Sequence, residues 1–112
     1  MTQYYKLDNV NELAGGDESF ISVLVQTFLE EIPNDIVNMQ ASVQSGDAAM
    51  SYQYAHKMKP SFQLFSIDVL KYIKILESWS VDAIGQEEAT FAMNTILDKA
   101  NAAIEEMKKD FL

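Results

Sequence analysis

The stretch Asp47–Ser66, DAAMSYQYAHKMKPSFQLFS, holds the one histidine of a 112-residue chain, and the rest of the sequence can be read outward from it. Placed on a helix at about 100° per residue, Tyr54, Met58, Phe62 and Phe65 fall on one side. His56 falls almost opposite them. The imidazole therefore faces water, on an outer stripe made by Ala49, Tyr52, Gln53, Lys59, Pro60 and Gln63. Lys57 lies about 100° around from the histidine, at the rim of that stripe.

On either side of this helix the chain reads as further helices. Gly46 and Asp47 form a stop and a restart, glycine closing one helix and aspartate capping the next. Upstream, Gly15 and Gly16 close a short helical piece around Asn9–Leu13. Asp17 then caps a long helix running to about Ser45, with Phe20, Ile21, Leu24, Val25, Phe28, Leu29 and Ile32 on a wide apolar face. Pro33 interrupts that helix and is expected to bend it. Downstream, Ser66 is expected to cap a helix carrying Ile67, Leu70, Ile73, Leu76 and Trp79. A loop is expected from Trp79 to Gly85. A last helix begins near Gln86, with Glu87 and Glu88 at its start and Lys108 and Lys109 at its end, signs that suit the helix dipole. Ala89, Met93, Ile96, Ala100, Ala103, Met107 and Phe111 give it three- and four-residue spacing. No strand-like alternation or internal repeat stands out. The expected architecture is all-α: an antiparallel up-down-up-down four-helix bundle over residues 1–112, with a short N-terminal helical segment and one domain.

Composition excludes several classes. There is no cysteine, so a disulfide framework and a thiolate zinc site are both ruled out. The net charge of −9 argues against binding nucleic acid or an anionic membrane surface. No stretch approaches the roughly 20 apolar residues of a membrane span, and the N-terminal residues lack a signal-peptide pattern. A cytoplasmic, monomeric protein is expected. The charge is uneven: Lys57, Lys59, Lys71 and Lys74 stand against Asp68 alone between Ser51 and Leu76. The histidine sits in that locally basic segment. A di-metal carboxylate bundle would need Glu-x-x-His pairs on two helices, which one histidine cannot supply.

The run Ala55-His56-Lys57-Met58-Lys59, with Ser66 ten residues after the histidine, resembles the phosphoacceptor helix of histidine-containing phosphotransfer (HPt) domains, whose signature is Ala-His-x-x-Lys-Gly with a second glycine further on. Leu7, the Gly15-Gly16-Asp17 turn, Phe20, Phe28, Leu29 and the Gly46-Asp47 turn match the family in order and spacing, so the resemblance covers nearly the whole chain. It implies a phosphocarrier in a His-Asp relay. His56 would accept a phosphoryl group from the aspartate of a response-regulator receiver domain and pass it on, with a hybrid sensor histidine kinase as a further partner. Magnesium would sit on the receiver, and the chain itself would carry no cofactor and no metal.

The chemistry is consistent with this role. An imidazole with the ordinary pKa of about 6.5 is mostly neutral at pH 7 and keeps one nitrogen lone pair. Phosphoryl transfer needs mainly positioning and positive charge near the moving oxygens, and Lys59, one turn on, can supply that charge. The sequence has no glycine-rich phosphate loop, kinase nucleotide motif or Asp triad for magnesium, so it offers a stoichiometric carrier rather than a kinase. Tyr52, Gln53, Lys57, Pro60 and Gln63 would line the partner's docking surface. Glu77 or Ser78 falls where the family places a group that hydrogen-bonds the second ring nitrogen. The sequence leaves that choice open, and a solvated surface position is the expectation for both. Three residues depart from the family pattern: Pro60 replaces the signature glycine, Gln63 a small residue, and Ser66 the second glycine. A non-phosphorylated helical adaptor using the same face is the alternative.

Overall fold

The computed structural model describes residues 4–79 and 85–112. Among these residues there are five helices and no strand: α1 (Asp8–Ala14), α2 (Glu18–Gln44), α3 (Ala48–Leu64), α4 (Leu70–Trp79) and α5 (Gln86–Phe111). The 27 residues of α2 reach about 40 Å at 1.5 Å per residue, close to the 44 Å long axis of the molecule. The last four helices pack as a ring, α2 and α4 each lying against both α3 and α5, while α1 rests on α2. The fold is a helical bundle. No helix among the described residues is long and apolar enough to cross a membrane.

The boundaries of α2 and α3 have local causes. Asp17 caps α2, its Oδ1 accepting from the amides of Ser19 (2.9 Å) and Phe20 (3.3 Å). Asp47 caps α3 by accepting from the Met50 amide at 3.0 Å. Between these helices Gly46 takes φ +75°, and the amides of Gly46 and Asp47 bond back to the carbonyls of Val43 and Ser42. That pattern is a Schellman closure, in which a left-handed residue turns the chain while the last carbonyls stay satisfied. The same closure ends α3, but with a serine. Ser66 has φ +53°, and the amides of Ser66 and Ile67 bond to the carbonyls of Gln63 and Phe62. Ser66 therefore closes the histidine helix instead of capping the next one. α4 begins only at Leu70, and Ile67 and Val69 are buried in the turn between them. The expected loop from Trp79 to Gly85 falls, in residues 80–84, outside the described residues.

Pro33 and Pro60 lie inside α2 and α3, and each helix runs on through its proline. Neither can donate an amide hydrogen, so the His56 carbonyl receives no bond from position 60.

The core joins Val25, Phe28, Ile32, Ile36 and Met39 of α2 to Met58, Phe62 and Phe65 on the histidine segment. Ile73 and Leu76 of α4 and the row Ala89–Met107 of α5 complete it. Phe28 meets Phe65 edge-on, with ring centroids 4.9 Å apart, and Phe62 at 6.3 Å. The small residues Ala89, Ala92, Ala100 and Ala103 are fully buried on α5. Phe20, expected on the apolar face, is instead 40% exposed.

An N-terminal strap was not anticipated from the sequence. The Lys6 amide donates to the Phe65 carbonyl at 2.8 Å, the Tyr4 amide bonds Glu106, and the buried Tyr5 hydroxyl bonds Asp110. Burial, then the hydrogen bond and charge of Asp110, push the Tyr5 hydroxyl well above the usual tyrosine range.

Candidate functional site

Met58, Phe62 and Phe65 are buried beneath α3, and on the opposite side the His56 side chain is 63% exposed. The apolar row thus sets the direction of the imidazole. α4 lies alongside α3 and brings Glu77 to the ring, with Nδ1 of His56 3.0 Å from Glu77 Oε2. The other carboxylate oxygen, Oε1, accepts from Lys59 Nζ at 3.3 Å. A single carboxylate therefore bridges the histidine and the lysine that follows it by three positions.

The Glu77 side chain is only 15% exposed, which corrects the solvated position expected from sequence. Glu77, and not Ser78, faces the imidazole. Burial tends to raise the Glu77 pKa, but the hydrogen bonds from His56 and Lys59 and the charge of Lys59 outweigh it, leaving the carboxyl below its ordinary value. An ionised carboxylate can only accept hydrogen bonds, so Nδ1 is the protonated nitrogen in this contact. In the neutral ring Nε2 then keeps its lone pair, at the edge turned away from Glu77.

Lys59 is more constrained than expected. It shares the imidazole's face, but its ammonium is tied to Glu77 and its side chain is 28% exposed. Lys57 is also engaged, with Nζ 3.0 Å from Oδ1 of Asp35 on α2. The hydrogen bond to Asp35, and then its charge, raise the Lys57 pKa. Asp35 is itself buried, in the same helical row as Ile32, Ile36 and Met39. An acid inside that apolar row was the sequence signal for this pair, and it points to a cation on the facing helix.

Tyr52, Gln53, Pro60 and Gln63 are all exposed, so the outer stripe forms as expected. Tyr52 has a closer role than general lining. Its ring lies parallel to the imidazole within 9°, with centroids 5.6 Å apart. Its four-residue spacing from His56 on a helix was the legible signal. Near the start of α3, the buried hydroxyls of Ser42 and Ser51 meet at 2.8 Å and join α2 to α3. Among the described residues no group of three His, Cys, Asp or Glu side chains converges on a metal position. Comparison of the chain with protein-family models, curated proteins and solved structures found no match in any of the three.

Proposed function

We propose that the chain is a histidine phosphocarrier of the HPt kind, accepting a phosphoryl group on His56 from the aspartyl phosphate of a response-regulator receiver domain and passing it to a second aspartate. The observation that carries this reading is the exposed imidazole whose Nδ1 is held by Glu77, with Nε2 at its outward edge. In the proposed step the Nε2 lone pair attacks phosphorus in line with the acyl oxygen. The oxygen–phosphorus bond breaks, its electron pair remains on the receiver's carboxylate, and the N–P bond forms. The modified ring is cationic while Nδ1 keeps its proton, and Glu77 lies where it compensates that charge. Lys59, three positions after His56 on α3, supplies a cation for the phosphoryl oxygens. The receiver supplies magnesium.

The same reading takes α2–α5 as an antiparallel up-down-up-down four-helix bundle. Supporting it, Gln86 at the start of α5 donates to the Val43 carbonyl near the end of α2 at 2.6 Å. At the other end of the pair, Phe111 lies beside Glu18, Ile21 and Ser22. A single cysteine-free domain acting as a monomer in the cytoplasm completes the proposal.

The test is incubation with a panel of receiver domains phosphorylated by a small acyl phosphate. The expected result is label on the chain that is acid-labile and alkali-stable, and absent from His56→Gln. Failure of every receiver to transfer would defeat the proposal, and tight binding to a receiver without label would make the chain an adaptor.

A further inference from the structure

A hydrogen bond at one ring nitrogen leaves an exposed imidazole free to swivel about the N–H···O axis. It also leaves the 180° flip that exchanges the two ring edges opposed by that one bond alone. A second contact, made across the face of the ring and from a different element, removes the swivel and resists the flip. Tyr52 makes such a contact. Its ring is one turn before His56 on α3, parallel to the imidazole within 9° at a centroid separation of 5.6 Å, which is the offset-stacked geometry aromatic pairs favour. Glu77 comes from α4 and Tyr52 from α3, so the two restraints act along different directions.

We propose that Tyr52 is a positioning residue for His56, holding the imidazole with Nε2 outward by offset stacking of its parallel ring against one side of the imidazole. Its bearing on phosphoryl transfer rests on the phosphocarrier reading, but the orientation itself does not. Attack by Nε2 runs in the ring plane along its lone pair, so a ring stacked on the face guides the nucleophile without blocking the phosphoryl group. Once Nε2 is phosphorylated and Nδ1 remains protonated, the ring carries positive charge, which the electron-rich face of the phenol also favours. Both effects belong to the aromatic ring and not to the hydroxyl, so phenylalanine should substitute and leucine should not.

The experiment uses the whole chain and two readouts. The first is the ring-nitrogen and ring-proton NMR signals of His56, which report the tautomer and the ring current of Tyr52 without any phosphoryl donor. The second is labelling by phosphoramidate, a small donor that needs no protein partner. There the Nε2 lone pair attacks phosphorus, the P–N bond breaks with its electron pair going to departing ammonia, and Nδ1 keeps its proton against Glu77. Tyr52→Leu is expected to lose the ring-current shift, raise the population with the proton on Nε2, and slow Nε2 labelling roughly two- to tenfold. Tyr52→Phe is expected to match the wild type in both. The proposal is overturned if Tyr52→Leu keeps the wild-type tautomer balance and labelling rate, or if Tyr52→Phe behaves like Tyr52→Leu. Should the wild type take no label at all, the phosphocarrier reading fails, while the tautomer signals still decide the role of Tyr52.

Discussion

Replacing Ser66 tests whether the end of the histidine helix is built as described. Ser66 has φ +53°, where a side chain's Cβ crowds the following carbonyl at a cost of roughly 1–2 kcal/mol, and glycine avoids that contact. Against the gain stands the greater freedom of glycine in the unfolded chain, about 0.4–1 kcal/mol. The other loss is the contact from Asn9 Nδ2 to the serine hydroxyl, which at 3.4 Å is long and exposed. Ser66→Gly should therefore stabilise the protein by about 0.5 kcal/mol. Ser66→Val puts a β-branched residue at positive φ and should destabilise it by roughly 1–2 kcal/mol. At about 2.1 cal/mol/K per residue, a chain of this length unfolds with an entropy near 0.24 kcal/mol/K, so 1 kcal/mol corresponds to about 4 °C in Tm. The expected shifts are about +2 °C for glycine and −4 to −8 °C for valine, read by circular dichroism at 222 nm on heating and checked by urea titration. Shifts of the same sign for the two variants, or a glycine variant less stable than the wild type, would refute the assignment of Ser66 as the left-handed closing residue.

Two further outcomes follow from the site and the core. Because the Glu77 pKa lies below its ordinary value of 4.5, its ionised form stabilises the fold at neutral pH, and that contribution disappears as the pH falls through the folded pKa. Glu77→Gln should therefore cost about 1 kcal/mol at pH 7, a figure discounted for the exposed histidine partner, and the gap in Tm from wild type should close as the pH falls below 4.5 and through the lowered pKa of the folded state. A gap that stays constant from pH 7 to pH 3 would remove the charge from the account. Phe62 is fully buried under the face opposite His56, so Phe62→Ala should cost about 3–5 kcal/mol in urea unfolding, a large part of a small domain's stability. A loss under about 1.5 kcal/mol would mean that the packing against Phe28 is much looser than described.

Most of the helices were legible because their signals are local. Asp17, Gly46 and Asp47 mark their boundaries by turn and cap chemistry, and the limits of α5 read from its charged ends hold within two residues. The outward direction of His56 followed from the same periodicity, since Met58, Phe62 and Phe65 define the inner face. Three features were not legible, two because they depend on chain segments far apart in sequence and one because the residue type suggests a different role from the one its backbone takes. Ser66 reads as an N-cap by residue type, yet its backbone is set by the closing bonds to Gln63 and Phe62. Choosing Glu77 over Ser78 requires the rotation of α4 against α3, which the late start of α4 at Leu70 hides from a residue count. The strap from Tyr4 to Lys6 has no periodicity to read, and its partners Phe65, Glu106 and Asp110 lie 59 to 105 positions away. The bridging of Lys59 and His56 by one carboxylate is a consequence of the second of these.

The strap brings the beginning and the end of the described chain side by side, Tyr4 against Glu106 and Tyr5 against Asp110. A short flexible connector could join the two ends, with the chain reopened at the exposed Gly15-Gly16 turn, and α3 and α4 would remain consecutive in the rearranged polypeptide. The pairing of imidazole and carboxylate thus depends on the two neighbouring helices that carry it and not on where the ribosome starts. The strap meets the histidine segment where the Lys6 amide bonds the Phe65 carbonyl, about 13 Å along the helix axis from His56.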